Sequence, residues 1–288
     1  MTSGTSALAA QNPESDIYVA DVLVEAGHMV ELGVPRVVID RAGYDNHPWF
    51  TPDGTAIYYV AELDGQTDVF AVELQSGAVR RITDTPENEF SPMVLSSGEL
   101  LVVRWAADMS DGHLWLYSAA GQPLRPAPYD VQRVGYYAWA DDRTLAVFVN
   151  DSVQSFVLVD AVTGAQRRIG EGLNGSPPRR VPGFNAVSFM QQEANDAWWI
   201  YKLDLATLKS APYARVPENA ATNYFWTPTG ELVMARGNEL IAWTGDDEWR
   251  VVATFDDPGL AEIVRFAFSP NGRRVALVGR PVTAEPDE

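Results

Sequence analysis

From Pro48 to Thr83 short apolar runs alternate with polar breaks: PWF, TPDGT, AIYYVAEL, DGQT, DVFAVEL, QSGA, VRRIT. Runs of this length, rich in β-branched and aromatic residues, predict strands. Pro52-Asp53-Gly54 and Ser76-Gly77 predict tight turns between them. The segment reads as strand, turn, strand, loop, strand, hairpin, strand. The same pattern then returns along the chain. Turns equivalent to the one at Gly54 fall at Gly98, Arg143, Asn185, Gly230 and Gly272, in steps of 44, 45, 42, 45 and 42 residues. The third strand returns as DIYVADV from Asp16, DVFAVEL from Asp68, HLWLYS from His113, SFVLVDA from Ser155, WIYKLDL from Trp199 and ELIAWTG from Glu239.

Four strands in a unit of roughly 43 residues predict the blade of a β-propeller. A lone four-stranded sheet cannot bury both faces, yet Ile57-Tyr58-Tyr59-Val60 is apolar on both. Radial packing against two neighbours solves this and leaves only short edges. The chain is also out of phase with its repeat. It opens with a third strand at Asp16 and a fourth over 34–40, and closes with a first strand over 264–269 and a second over 274–279. The two halves predict one shared blade. The expected fold is all-β: a six-bladed β-propeller of four-stranded antiparallel blades, closed by N- and C-terminal strands in one blade. Its expected bounds are 16–280, flanked by tails at 1–15 and 281–288.

Charge narrows the partners. There are 39 acidic and 21 basic side chains, a net charge of −18, and only Lys202 and Lys209 among the basic residues are lysines. Such a surface disfavours nucleic acid and anionic membranes. The scarcity of lysine fits either an Arg-rich codon usage or adaptation to high salt. No apolar run reaches the roughly 18 residues of a membrane span. With no cysteine, disulfides, thiolate metal sites and a Cys nucleophile are excluded. The run Ser6 to Gln11 reads equally as the end of an export signal or as a plain tail.

The strings PWFTPDG, FAFSPNG, YFWTPTG and SPMVLSSG, with DVFAVEL…RRIT after the first, resemble the repeat of TolB-like, WD40-like propellers. The likeness is nearest at Pro48–Thr83 and weakest around Asn185, where RRVPGFN replaces PWFTPDG. The resemblance implies a six-bladed ring. It also implies a non-enzymatic binding or scaffold protein, periplasmic or secreted, although proteins with this repeat include peptidase-attached domains and lyases. A cytoplasmic location stays open.

Catalytic signatures are sparse. No G-x-S-x-G, phosphate-binding loop, calcium loop or H-x-x-x-H occurs, and His28, His47 and His113 fall in different blades. No cofactor and no metal are expected. The central funnel remains. Its fourth-to-first strand connections carry Asp45, His47, Glu89, Arg133, Tyr136, Arg179, Asn223, Tyr224 and Arg265. Convergent polar groups with aromatic walls are what a ligand site requires. Arg179 stands where other blades have Pro or an aromatic residue, and an arginine in an acidic protein suits a carboxylate or phosphate. The expected partner is a peptide, a protein or a small anion at the channel mouth of a monomer. The alternative is a hydrolase or lyase acting on a small or carbohydrate substrate in the same funnel, with His47 or Glu89 as base.

Overall fold

The computed structural model describes residues 12 to 281, apart from 172, 174, 175, 195, 246 and 247. The chain enters through β1 (Asp16–Glu25), β2 (His28–Leu32) and β3 (Arg36–Ile39). Blade I follows as β4 (Asp45–Phe50), β5 (Ala56–Leu63), β6 (Gln66–Glu73) and β7 (Val79–Arg81). Blade II is β8 (Asn88–Val94), β9 (Leu100–Trp105), β10 (Gly112–Tyr117) and β11 (Pro123–Pro126). Blade III is β12 (Val134–Trp139), β13 (Thr144–Val149), β14 (Ser155–Asp160) and β15 (Gln166–Glu171). Blade IV is β16 (Arg179–Arg180), β17 (Ala186–Gln192), β18 (Trp198–Asp204) and β19 (Ser210–Arg215). Blade V is β20 (Tyr224–Trp226), β21 (Leu232–Arg236), β22 (Glu239–Trp243) and β23 (Trp249–Thr254). Blade VI joins β24 (Glu262–Phe268) and β25 (Arg274–Arg280) to β1 and β3.

The ring closes as the sequence predicts. Strand β1 pairs antiparallel with β25, from Asp16 opposite Gly279 to Asp21 opposite Arg274, while β3 takes the outer position beside β1. The first strand of each blade is innermost, and these strands adjoin one another around the axis. Six clusters of buried apolar residues fill the six blade interfaces. Each fully buried Leu, Ile or Phe there contributes about 1.5–3 kcal/mol. Where Gly121 passes blade I, a Cβ would stand 1.8 Å from the carbonyl oxygen of Ile82, so only glycine fits.

Two details depart from the repeat. Strand β2 forms a hairpin with β1 that reaches blade V. There the backbone N–H of Met29 donates to Glu231 Oε2 at 2.8 Å, and Arg250 donates to both Glu231 (2.6 Å) and the Met29 carbonyl (2.7 Å). Met29 itself is buried in the blade V–VI cluster. The blade IV turn also lies one residue earlier than expected. Val181 N–H donates to Ala186 O as Thr51 N–H does to Ala56 O, so Phe184 rather than Asn185 stands in the place of Gly54.

Candidate functional site: the axis of the ring

Side chains alternate along a strand, so an innermost strand sends every second residue towards the axis. Counting seven residues back from the turn position gives His47, Ser91, Tyr136, Pro177, Asn223 and Arg265, one from each blade. Five residues back gives Trp49, Met93, Ala138, Arg179, Phe225 and Ala267. These two layers supply most of the wall of a central cavity of about 40 Å³. The upper layer is largely polar. The lower one is apolar apart from Arg179.

Three blades meet around one stacked column. His47 is buried, has φ +53°, and places Nδ1 3.0 Å from Ser91 Oγ. Its ring stacks on Tyr136 at 5.9 Å between centroids. Tyr136 Oη accepts from Arg265 Nη2 at 3.1 Å, and the Arg265 guanidinium lies 5.2 Å from the same ring. Arg179 donates through Nε to the Tyr224 carbonyl at 3.3 Å and lies 4.5 Å over Phe225. Among the described residues neither Arg179 nor Arg265 has a carboxylate within 4.0 Å. Arg265 Nε and Asn223 Oδ1 are buried without a hydrogen-bond partner among the described residues.

The electrostatics follow from this crowding. Burial, with the nearby charges of Arg265 and Arg179, holds His47 well below the usual histidine value, so its ring is neutral at pH 7. Burial also pushes Arg179 down to about 10, and Arg265 adds to the effect. Two uncompensated cations share this space. An anion placed between them would restore charge balance at the lowest desolvation cost.

The remaining expected site residues stand elsewhere. Asp45 is buried against Arg41 at 3.0 Å and helps tie the entering chain to blade I; burial raises its carboxyl to about 7. Glu89 sits in the blade I–II interface, accepting from Tyr117 Oη at 2.9 Å and from Thr85 Oγ1. Burial raises it to about 7 as well. Arg133 lies on the rim, bonded to the carbonyls of Ser110 and Asn150 and paired with Asp151 at 3.3 Å. Tyr224 points into the blade IV–V core, where its hydroxyl donates to Ser188 Oγ at 3.0 Å. Asn223 donates to the Val264 carbonyl beside Arg265 at 3.0 Å. The axis thus gathers His47, Tyr136, Arg179, Asn223 and Arg265 of the nine. It adds Trp49, Ser91, Met93 and Phe225, which the count back from each turn could have found, and Pro177, which that count reaches only from the observed blade IV turn at Phe184. Among the described residues no group of three His, Asp or Glu is placed to hold a metal ion, and no helix is long and apolar enough to cross a membrane.

No family model matches the chain. It is 30% identical over 97 residues to an uncharacterized protein, Atu1656, of Agrobacterium fabrum strain C58, a match covering 33% of this chain and 30% of the relative. The chain therefore spans less than a third of that protein's length. Likeness to solved structures is broader. A candidate TolB from Agrobacterium tumefaciens superposes with TM-score 0.66 at 12% identity, covering 94% of this chain and 100% of that one. A gluconolactonase from Xanthomonas campestris gives TM-score 0.65 at 12% identity, covering 95% and 99%. An oligogalacturonate lyase in complex with manganese gives 0.57 at 15%, covering 86% and 80%. At such identities, what is shared is the fold: the chain is a six-bladed β-propeller of the architecture that TolB carries.

Proposed function

We propose that this protein is a binding propeller that holds an anionic group of a peptide, protein or small-molecule partner at its axis. One observation carries the reading. Arg179 from blade IV and Arg265 from blade VI converge on the cavity without a carboxylate, in a chain of net charge −18. Arginines in such a protein find acids readily, as Arg143 does with Asp160 at 2.7 Å and Arg168 with Glu171 at 2.8 Å. Leaving two unpaired in a confined space suits an external anion. An exported, periplasmic setting goes with this reading and is supported by the TolB-like fold.

The hydrolase or lyase alternative has less support. His47 is neutral, and among the described residues no carboxylate orients it, so no base–acid pair is assembled there. A cavity of about 40 Å³ has room for a group the size of a carboxylate rather than for a sugar ring. The test is thermal unfolding of the full chain against sodium acetate, at constant ionic strength set by a bulky organic anion. Wild type should show a Tm that climbs with the logarithm of acetate concentration, a stabilisation of about 2.7 kcal/mol at a hundred times Kd. Arg179→Met and Arg265→Met should each lose it. An equal rise in both variants would overturn the assignment.

A further inference from the structure

A second cavity opens on the face that holds the channel mouth, between the β17–β18 connection and the longer β19–β20 connection. Its volume is about 460 Å³, within the range of small-ligand sites. Met190 and Val216 give it apolar wall, and the half-buried ring of Trp198 lies beside them. Three charged side chains also line it: Arg215, Asp196 and Glu218.

Among the described residues none of these three side chains has an ion-pair partner within 4.0 Å. Arg133, also on the rim, takes a carboxylate, Asp151 at 3.3 Å. Among the described residues Arg215 has no acid within 4.0 Å, although two carboxylates line the same cavity. The walls are tied in place. Trp249 Nε1 donates to the Arg215 carbonyl at 2.9 Å, and Val216 N–H donates to the Trp198 carbonyl at 2.8 Å. The backbone of the wall is therefore fixed, and the cation and two anions on it stand more than 4.0 Å apart around a space of ligand size.

We infer that this groove binds a zwitterion of the free α-amino acid class with an apolar side chain. Arg215 takes the carboxylate through its planar fork. Asp196 and Glu218 take the ammonium, and the side chain lies against Trp198 and Met190. A simple anion would have to face both carboxylates, and a simple cation would face Arg215. A neutral sugar would gain nothing from the three charges beyond ordinary hydrogen bonds. A ligand with both charges offers a partner to Arg215 and to the carboxylates at once.

The test is calorimetric titration of the full chain with L-leucine, leucinamide, N-acetyl-leucine and glucose. L-Leucine should bind saturably. Leucinamide, lacking the carboxylate, and N-acetyl-leucine, lacking the ammonium, should each bind at least about tenfold more weakly, a difference of roughly 1.4 kcal/mol. Arg215→Gln should weaken L-leucine by a similar factor while leaving leucinamide unchanged. Glu218→Gln should do the converse, weakening L-leucine but not N-acetyl-leucine. Both residues are exposed, and an unchanged Tm certifies the fold of each variant. Arg168→Gln, on the rim of blade III, should bind L-leucine as wild type does. Absence of saturable L-leucine binding, equal binding of all three leucine compounds, or preference for glucose would each overturn the assignment.

Discussion

Blades I and IV adopt the same four-stranded fold from sequences that differ at nearly every signature position. In blade I the turn is held by side chains: Thr51 Oγ1 and Thr55 N–H both donate to Asp53, at 2.6 and 3.0 Å. In blade IV the corresponding turn has only backbone bonds, with Gly183 at φ +77°. Blade I anchors its third strand with buried Asp68, paired to Arg81 at 2.6 Å and accepting from Thr83. Blade IV has Trp199 in that place. Its Lys202, pushed down to about 8 by burial, lies over Tyr213 (3.4 Å) and Trp226 (4.7 Å) instead of pairing with an acid. The consensus blade spends its polar residues on holding the ring. The degenerate blade frees Arg179 for the axis and Arg215 for the rim, as expected where local rules yield to function.

Substitution should separate the two blades by sign. Asp68→Ala leaves the buried Thr83 hydroxyl without its acceptor, while the half-exposed Arg81 keeps Asp84 at 2.9 Å, and should cost about 2–3 kcal/mol in urea unfolding. A loss under about 1 kcal/mol would mean that the pair does not anchor blade I. Stability should also fall as pH rises between about 5 and 8. Glu89 and Asp45 have folded values near 7, above their ordinary 4.5 and 3.8. Their protonated forms therefore favour the fold below the unfolded values, and this contribution is lost as pH rises through about 7. For Glu89 alone the change is about 3 kcal/mol, and Glu89→Gln should flatten the profile by that amount. A profile left unchanged by the substitution would contradict the burial assigned to Glu89.

Smaller effects sharpen the contrast. Arg179→Met removes one of two like charges from a desolvated site, so in anion-free buffer it should stabilise the protein by roughly 1 kcal/mol. A drop in Tm of the same size would show that Arg179 serves blade IV rather than the axis. Gly183→Ala should cost about 1 kcal/mol, because a side chain is imposed on a left-handed turn that only backbone bonds support.

What was legible in the sequence follows the range of the forces involved. The spacing of turns such as Thr51–Gly54 and Ser269–Gly272 is local, so six blades and the shared closing blade could be read directly. Near Asn185 the turn glycine itself moved, and counting slipped by one residue. Strand β2 was missed because its logic lies in Met29 and Glu231, which are far apart in sequence and meet only once the ring is closed. At the axis, His47, Tyr136, Arg179, Asn223 and Arg265 were identifiable from the connections that carry them. Tyr224 and Phe225 were not told apart, because which of two neighbours faces the axis depends on strand parity, fixed by the distance to the turn.

The central claim is that Arg179 and Arg265 form an anion site on the propeller axis. The most direct measurement is anomalous diffraction from crystals of the full chain soaked in sodium bromide. An anomalous peak within hydrogen-bonding distance of both guanidinium groups, absent from Arg265→Met crystals, is the predicted result. Bromide only at surface arginines, with the axis unoccupied in wild type, would contradict it.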